Sequence, residues 1–209
     1  MATSTVPVKS ATTLFTLSAA VNSVISNGVT ANVAGKFGGM LYVRMGRTAS
    51  TSFATNLPVF KLLGSSGGTG TKDWVPIVAW SPALGAFNAV YQSLTATANS
   101  GATQVVVSAA PASCLSSDLF LYNTSAIARS EWNKIAVASV TTVLAVALER
   151  TQTAAKCLLI TQAEQWAIPV DFSGVTHVMF QIDNSQFTVT TGIAVEAVLV
   201  ATENLYQAP

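Results

Sequence analysis

The single histidine of the chain is the residue around which a Ser-His-Asp catalytic group would have to form. His177 lies six residues after Asp171 and six residues before Asp183. It is out of phase with the apolar residues Val178 and Phe180 of the same predicted strand, so we expect it to face solvent or a neighbouring molecule. The glycine-rich segment from residue 64 is not followed by a predicted helix, as a nucleophile elbow requires. The sequence therefore predicts no catalytic residues and no enzymatic activity.

Acidic residues could also do chemistry as pairs, in the manner of glycoside hydrolases. The nine Asp and Glu residues are spread from Asp73 to Glu203, and no two of them are adjacent. We expect Glu131, Glu149 and Glu196 to occupy solvated or subunit-facing positions on strands, because charged residues are rarely buried.

Neither a cofactor nor a metal is predicted. Residues 64–70 are glycine-rich but lack the G-K-[S/T] ending of a phosphate-binding loop. Cys114 and Cys157 lie 43 positions apart, without the clustered spacing that metal ligands need. Two small buried thiols are the favoured interpretation, and a disulfide between them, which needs an oxidising environment, is the alternative.

The tryptophans are candidates for ligand binding. Trp74 and Trp80 are six residues apart on a predicted strand, a spacing that places both on one face. With Trp132 they could stack against sugar rings, as in a carbohydrate-binding module. Packing in the core or between subunits is the favoured alternative, because Trp is common in both settings and few polar residues are near in sequence.

The basic residues offer one candidate interface. Arg44 and Arg47 could form a patch with Lys36, Lys61 and Lys72, and Arg44 alternates outward from the apolar residues of its predicted strand. Against acids of a neighbouring subunit, such a patch would set the docking register. An ordinary solvated surface is the alternative interpretation.

The composition points to a protein that contacts other subunits. Half of the residues are hydrophobic and only 9% are charged, against a usual quarter, with a net charge of +1. This balance gives no basic excess for a nucleic-acid backbone. The most apolar run, residues 135–148, is 14 long and falls short of the roughly 20 residues of a membrane-spanning helix. We expect no nucleic-acid or membrane partner, and we attribute uncharged stretches such as residues 74–117 to subunit contacts.

The hydrophobic pattern has a period of two along most of the chain, as in strands with one buried face. Residues 41–46, 178–183 and 193–200 are clear examples. The predicted fold class is all-β, a jelly-roll-like β-sandwich interrupted by a small inserted β-barrel-like domain. We expect the sandwich from residues 13–94 and 154–203 and the insertion from residues 95–153. Residues 1–12 are predicted to be an extended arm and residues 204–209 a C-terminal tail.

Residues 100–148 are similar to a small β unit of phage virion proteins. The matching segments are SGATQVVV (100–107), SDLFL (117–121), SEWNKIAVASV (130–140) and VLAVAL (143–148). With its charge-poor flanks rich in Ala, Thr, Val and Ser, the chain resembles the head or tail structural proteins of tailed bacteriophages. This resemblance implies a coat, decoration, neck or tail component located in the virion, with no catalytic residues.

We therefore expect a virion structural protein, most specifically a head decoration or cement subunit. A neck or tail component is the alternative within this class. The expected partners are further copies of the chain in a symmetric oligomer and the major capsid protein or other virion proteins. A host-glycan-binding β-sandwich module that uses Trp74, Trp80 or Trp132 is the alternative from another class.

Overall fold

The computed structural model of this chain describes residues 8–20, 25–47, 58–67, 73–82, 91–111, 118–160, 163–185 and 193–203. Their regular structure consists of strands and one short 3-10 turn, Ile127–Arg129. The strands are β1 (Val8–Ala20), β2 (Ile25–Asn32), β3 (Lys36–Arg47), β4 (Val59–Ser65), β5 (Val75–Trp80), β6 (Tyr91–Ser93), β7 (Gln104–Val106), β8 (Asp118–Asn123), β9 (Glu131–Val137), β10 (Thr141–Leu144), β11 (Cys157–Ile160), β12 (Ala163–Asp171), β13 (His177–Asp183) and β14 (Ile193–Glu203). The all-β fold class is confirmed. Within these residues, no helix has both the length and the apolar character needed to cross a membrane.

Two four-stranded sheets make up the sandwich. Sheet 1 has the strand order β1-β14-β3-β12, and sheet 2 has the order β2-β13-β4-β5. All paired strands in both sheets are antiparallel. The edge strands β1 and β2 contact each other, so the chain passes from one sheet to the other on that side.

Alternating apolar side chains fill the space between the two sheets. Leu41 and Val43 of β3 and Phe180 and Ile182 of β13 are fully buried in this core. Each such side chain contributes about 1.5–3 kcal/mol when it leaves water. Because successive residues of a strand point to opposite faces, the same burial fixes which residues of sheet 1 face outward.

The third sheet has six strands, in the order β6-β11-β8-β9-β10-β7. It curls, because a bridge between Leu94 and Val107 joins the ends of β6 and β7. The backbone bond from Ser108 N to Ser93 O supports this closure. Leu121, Ile135 and other apolar residues form a hydrophobic cluster inside it, separate from the core of the sandwich.

Two predicted boundaries differ from the structure. Residues 8–12, predicted as part of an arm, belong to β1 and pair with residues 199–203 of β14. That part of the arm prediction is wrong, because the backbone groups at the edge of β14 take β1 as their partner. Residues 1–7 and 204–209 lie outside the described residues. The third sheet also includes β6 and β11, beyond the range of 95–153 predicted for the insertion.

Phe120 of β8 joins the third sheet to sheet 1. Its buried ring packs against Ala194 of β14 and lies over Gly46 of β3. The ring also stacks near Trp132, with centroids 4.4 Å apart. A Cβ at Gly46 would lie 2.8 Å from Phe120 Cγ, closer than real Cβ contacts come. The junction therefore requires a residue without a side chain at position 46.

The variant Gly46→Ala tests this junction. The added methyl group collides with the Phe120 ring, and overpacking of this kind costs about 1–3 kcal/mol. We expect the midpoint of urea unfolding to fall accordingly. The matched control is Gly67→Ala, because a Cβ at Gly67 meets no atom within 4 Å. Equal midpoints for the two variants would show that the close approach of Phe120 is not needed.

Candidate functional site

A cleft of about 350 Å³ lies where the third sheet meets the outer face of sheet 1. Sheet 1 contributes Thr16, Arg44 and Glu196 to its lining. The other wall comes from the third-sheet part of the chain and includes Ser130, Glu131, Trp132, Glu149 and Arg150. Five of these side chains are charged, although charged residues make up only 9% of the whole sequence.

Glu131 is the most unusual residue of the cleft. It is only 5% exposed, on the inner face of β9 with Asn133 and Ile135. Its Oε2 accepts a hydrogen bond from Arg150 N at 3.0 Å. Its Oε1 is buried and has no partner at ordinary hydrogen-bond distance and angle among the described residues. The side chain of Gln152 is a neighbour of this carboxyl and favours its charged form.

The pKa of Glu131 is raised above its ordinary value. Burial is the main cause, because it disfavours the charged carboxylate, and the nearby charge of Glu149 adds to the rise. The hydrogen bond from Arg150 N, the positive charge of Arg150 and the side chain of Gln152 act in the opposite direction. The net result is a carboxyl that holds its proton more readily than a solvated one.

Backbone contacts hold this wall in place. Arg150 Nη1 donates to the carbonyl oxygen of Ser130 at 2.7 Å. Gln152 Nε2 donates to the carbonyl oxygen of Arg129 at 2.8 Å. Since Arg129 and Ser130 directly precede β9, these bonds fix the start of that strand. Glu131 and Arg150 are therefore held together although 19 positions separate them.

The opposite wall carries a pair of opposite charges. Arg44 of β3 and Glu196 of β14 are directly opposite each other in adjacent strands. Both face outward, because their neighbours Val43 and Val195 are buried in the core. Cross-strand pairs of opposite charge are mildly stabilising and keep both side chains at the cleft.

The structure separates the three predicted tryptophans. Trp132 lines the cleft on the outer face of β9. Trp80 packs in the core, where its ring lies 5.6 Å from Phe60 between centroids. Trp74 lines a different pocket on the outer face of sheet 2, with Lys61 and Met179.

The prediction that Trp74 and Trp80 share a face is wrong. Leu62 pairs with Val78, but Leu63 pairs with Pro76, so β5 has one extra residue at Ile77. Such a bulge reverses the alternation of side chains beyond it. Trp80 therefore points into the core and Trp74 points away from it.

The predicted basic patch is not assembled. Lys61 lies in sheet 2 and forms an ion pair with Asp183 at 2.8 Å. Lys36 donates to Ser10 Oγ at 2.7 Å, and Arg44 lines the cleft. Arg47 is the last residue of β3, and Lys72 lies outside the described residues.

The residues of the hypothetical catalytic group have other partners. The carboxylate of Asp171 accepts hydrogen bonds from Ser173, and Asp183 accepts from Ser185 as well as from Lys61. His177 Nδ1 lies 3.0 Å from Thr176 Oγ1.

Cys157 of β11 is a buried free thiol, and burial raises its pKa to about 12. Cys114, its proposed partner, lies outside the described residues, so the alternative of a disulfide stays a prediction. Within the part of the chain that is described, no group of three or more His, Cys, Asp and Glu residues could hold a metal ion.

One of the three acidic residues, Glu131, differs from the prediction. Glu131 was expected at a solvated or subunit-facing position, and it is buried. Glu131, Glu149 and Glu196 meet at one cleft, together with Arg150, which the sequence reasoning did not single out. No spacing in the sequence indicates this convergence, because contacts between the third sheet and sheet 1, such as the packing of Phe120 on Ala194, bring residues 131–150 to residue 196.

Comparisons with known proteins add little to this description. A scan against protein-family models found no match, and a search of the curated proteins found none either. Among solved structures, the crystal structure of the SPBc2 prophage-derived protein YomS aligns with 96% of this chain and 99% of its own. The TM-score of that alignment is 0.29 and the sequence identity is 12%. At this level of similarity the alignment carries no argument about fold or function.

The variant Glu131→Gln tests the state of the buried carboxyl. A raised pKa means that the native state of the wild type loses stability as pH rises through that pKa, because the buried group must ionise. Gln cannot ionise. We expect the free energy of unfolding of the variant, minus that of wild type, to be larger at about pH 7 than at about pH 4. The variant is therefore relatively more stable at the higher pH. An equal difference at both pH values, measured by urea unfolding, would contradict the burial argument.

Proposed function

We propose that this chain is a structural subunit of a tailed-phage particle, most specifically a head decoration or cement protein. The observation that carries the proposal is an uncharged, mainly apolar band on the outer face of sheet 1. The resemblance of residues 100–148 to virion β units supports the phage setting. A neck or tail component would use the same surface with a different partner.

The band consists of two rows of residues across the four strands, which we call the apolar rows. Strand register places Thr13, Val198, Tyr42 and Ala167 side by side in one row. Ala11, Val200, Met40 and Pro169 form the next row. These residues alternate with the buried core residues of the same strands, so they face outward. The exposed fraction of Tyr42, one of these residues, is 46%.

Charged residues frame the apolar rows on both sides. Arg44 and Glu196 lie in the row toward the cleft. Lys9 and Asp171 lie in the row at the far end of the strands. An apolar centre with a polar rim is the usual anatomy of a protein interface. Each end carries both signs of charge, which suits contact with another copy in either direction along the strands.

Further apolar residues are exposed elsewhere on the described surface. Val29, Phe37, Val75 and Val146 are each more than half exposed. Scattered exposed residues are normal, but a contiguous patch marks an interaction site. A stable interface buries about 800 Å² on each partner, and repetition over many copies multiplies a modest gain per contact.

We assign the apolar rows to self-association into a symmetric oligomer that binds the major capsid protein or another virion protein. The third sheet covers only the end of sheet 1 that contains Gly46 and Ala194. Among the described residues, Ala11, Thr13, Tyr42, Ala167 and Pro169 of this face are exposed and available to a partner, and the third sheet then lies beside the contact. Such a projecting unit suits a decoration protein on the outside of a particle.

The variant Val198→Asp tests the assembly surface. A carboxylate in the centre of the apolar rows must be desolvated on contact, so self-association should weaken by at least about tenfold. Sedimentation velocity over a concentration series measures this change. The matched control is Val146→Asp, at a residue 63% exposed and outside sheet 1, which should leave association unchanged.

Particle fractionation tests the phage assignment separately. We expect the chain to travel with dense particles in the native source, in many fixed copies by mass spectrometry. A low copy number would move the protein to the neck or tail. Recovery only as a small soluble species, together with unchanged sedimentation of Val198→Asp, would overturn the proposal.

A further inference from the structure

The cleft between sheet 1 and the third sheet has features that the proposed assembly role does not use. It lies beside the apolar rows, and its lining includes Glu131, Trp132, Glu149 and Arg150. Glu131 as a whole residue is only 5% exposed, and part of it borders the cleft.

The charges of the cleft restrict what could bind there. The carboxylates of Glu131, Glu149 and Glu196 would repel an anion. Arg44 and Arg150 line the same space and would repel a metal ion or a small ammonium ion. An uncharged ligand with several hydroxyl groups avoids both conflicts, because each hydroxyl can donate to a carboxylate and accept from a guanidinium.

Trp132 adds an apolar surface to this polar lining. Its ring is half-buried, and it is held in place by the Phe120 ring at 4.4 Å between centroids. A rigid aromatic side chain next to a few directed polar groups is a common plan for small-molecule sites. The cleft volume of about 350 Å³ lies at the low end of the range for such sites, about 300–1,000 Å³. It therefore has room for a ligand of one sugar ring.

We propose that this cleft binds a single neutral sugar unit. The C–H face of the sugar lies against Trp132, and its hydroxyl groups bond to Glu131 and to the Arg44–Glu196 pair on the opposite wall. The inference goes beyond the assembly role, because Glu131 and Trp132 belong to the cleft and not to the apolar rows, whereas Arg44 and Glu196 border both. Loss of the sugar-induced shift of Trp132 and loss of self-association in Val198→Asp are therefore separate results.

Titration with D-glucose, D-galactose and N-acetyl-D-glucosamine tests the proposal on the full chain. We expect at least one of them to bind saturably with a Kd on the order of 1 mM, as suits about a dozen non-hydrogen atoms. NMR should show a shift of one indole resonance, assigned to Trp132 by its loss in Trp132→Phe. The resonances of Trp74 and Trp80 serve as internal controls, because those residues lie outside the cleft.

Matched variants locate the site. Glu196→Gln and Arg44→Gln change the solvent-facing wall and should each weaken binding by about tenfold or more. The control Glu203→Gln lies in the same strand as Glu196, outside the cleft, and should bind as wild type does. Glu131→Gln tests the buried carboxyl, and its unfolding curve shows whether the variant is folded.

Three results would overturn the inference. The first is the absence of saturable binding for all three sugars up to about fifty times the expected Kd. The second is a shift of the Trp74 or Trp80 resonance in place of that of Trp132. The third is binding that Glu196→Gln and Arg44→Gln leave unchanged.

Discussion

The packing of Phe120 against Gly46 and Ala194 is the contact on which the functional surfaces of this chain depend. It places the third sheet at one end of the outer face of sheet 1. The close approach is possible because Gly46 has no side chain and Ala194 has a small one. Everything beyond this contact on the same face follows from its position. Along the strands from this contact lie the charged cleft, the apolar rows and, at the far end, the row that contains Lys9 and Asp171.

The distribution of charge along this face is as informative as its scarcity. A chain with 9% charged residues gathers five of them at one cleft and none in the two rows next to it. Charged residues are costly to desolvate, whereas an uncharged apolar band gains free energy when it leaves water. The two surfaces are adjacent but suited to different partners. We propose a protein partner for the rows and a small polar ligand for the cleft.

Glu131 is an acidic residue that is almost completely buried on the inner face of β9. Asn133 and Ile135 follow it on the inner face of β9, and Asn133 satisfies its side chain through the carbonyl oxygen of Val146 at 3.0 Å. Glu131 Oε1 is buried, its neighbour is the side chain of Gln152, and Oε2 accepts from Arg150 N at 3.0 Å. Ionisable groups with a shifted pKa occur both at functional sites and in structural networks.

The sequence by itself determined the fold class, because a period of two survives in β3, β13 and β14 whatever they pack against. It also predicted the strand pattern of residues 104–144, where turn residues separate short apolar runs. Tertiary structure alone decided the site. One extra residue at Ile77 moved Trp74 to the opposite face from Trp80. The pairing of β1 with β14 includes residues 8–12, which were predicted to belong to an extended arm. Glu131 and Glu196 are 65 positions apart, and they line one cleft because the Phe120 ring packs over Gly46. Local periodicity records which face of a strand is buried, and carries no information about which distant strand will cover it.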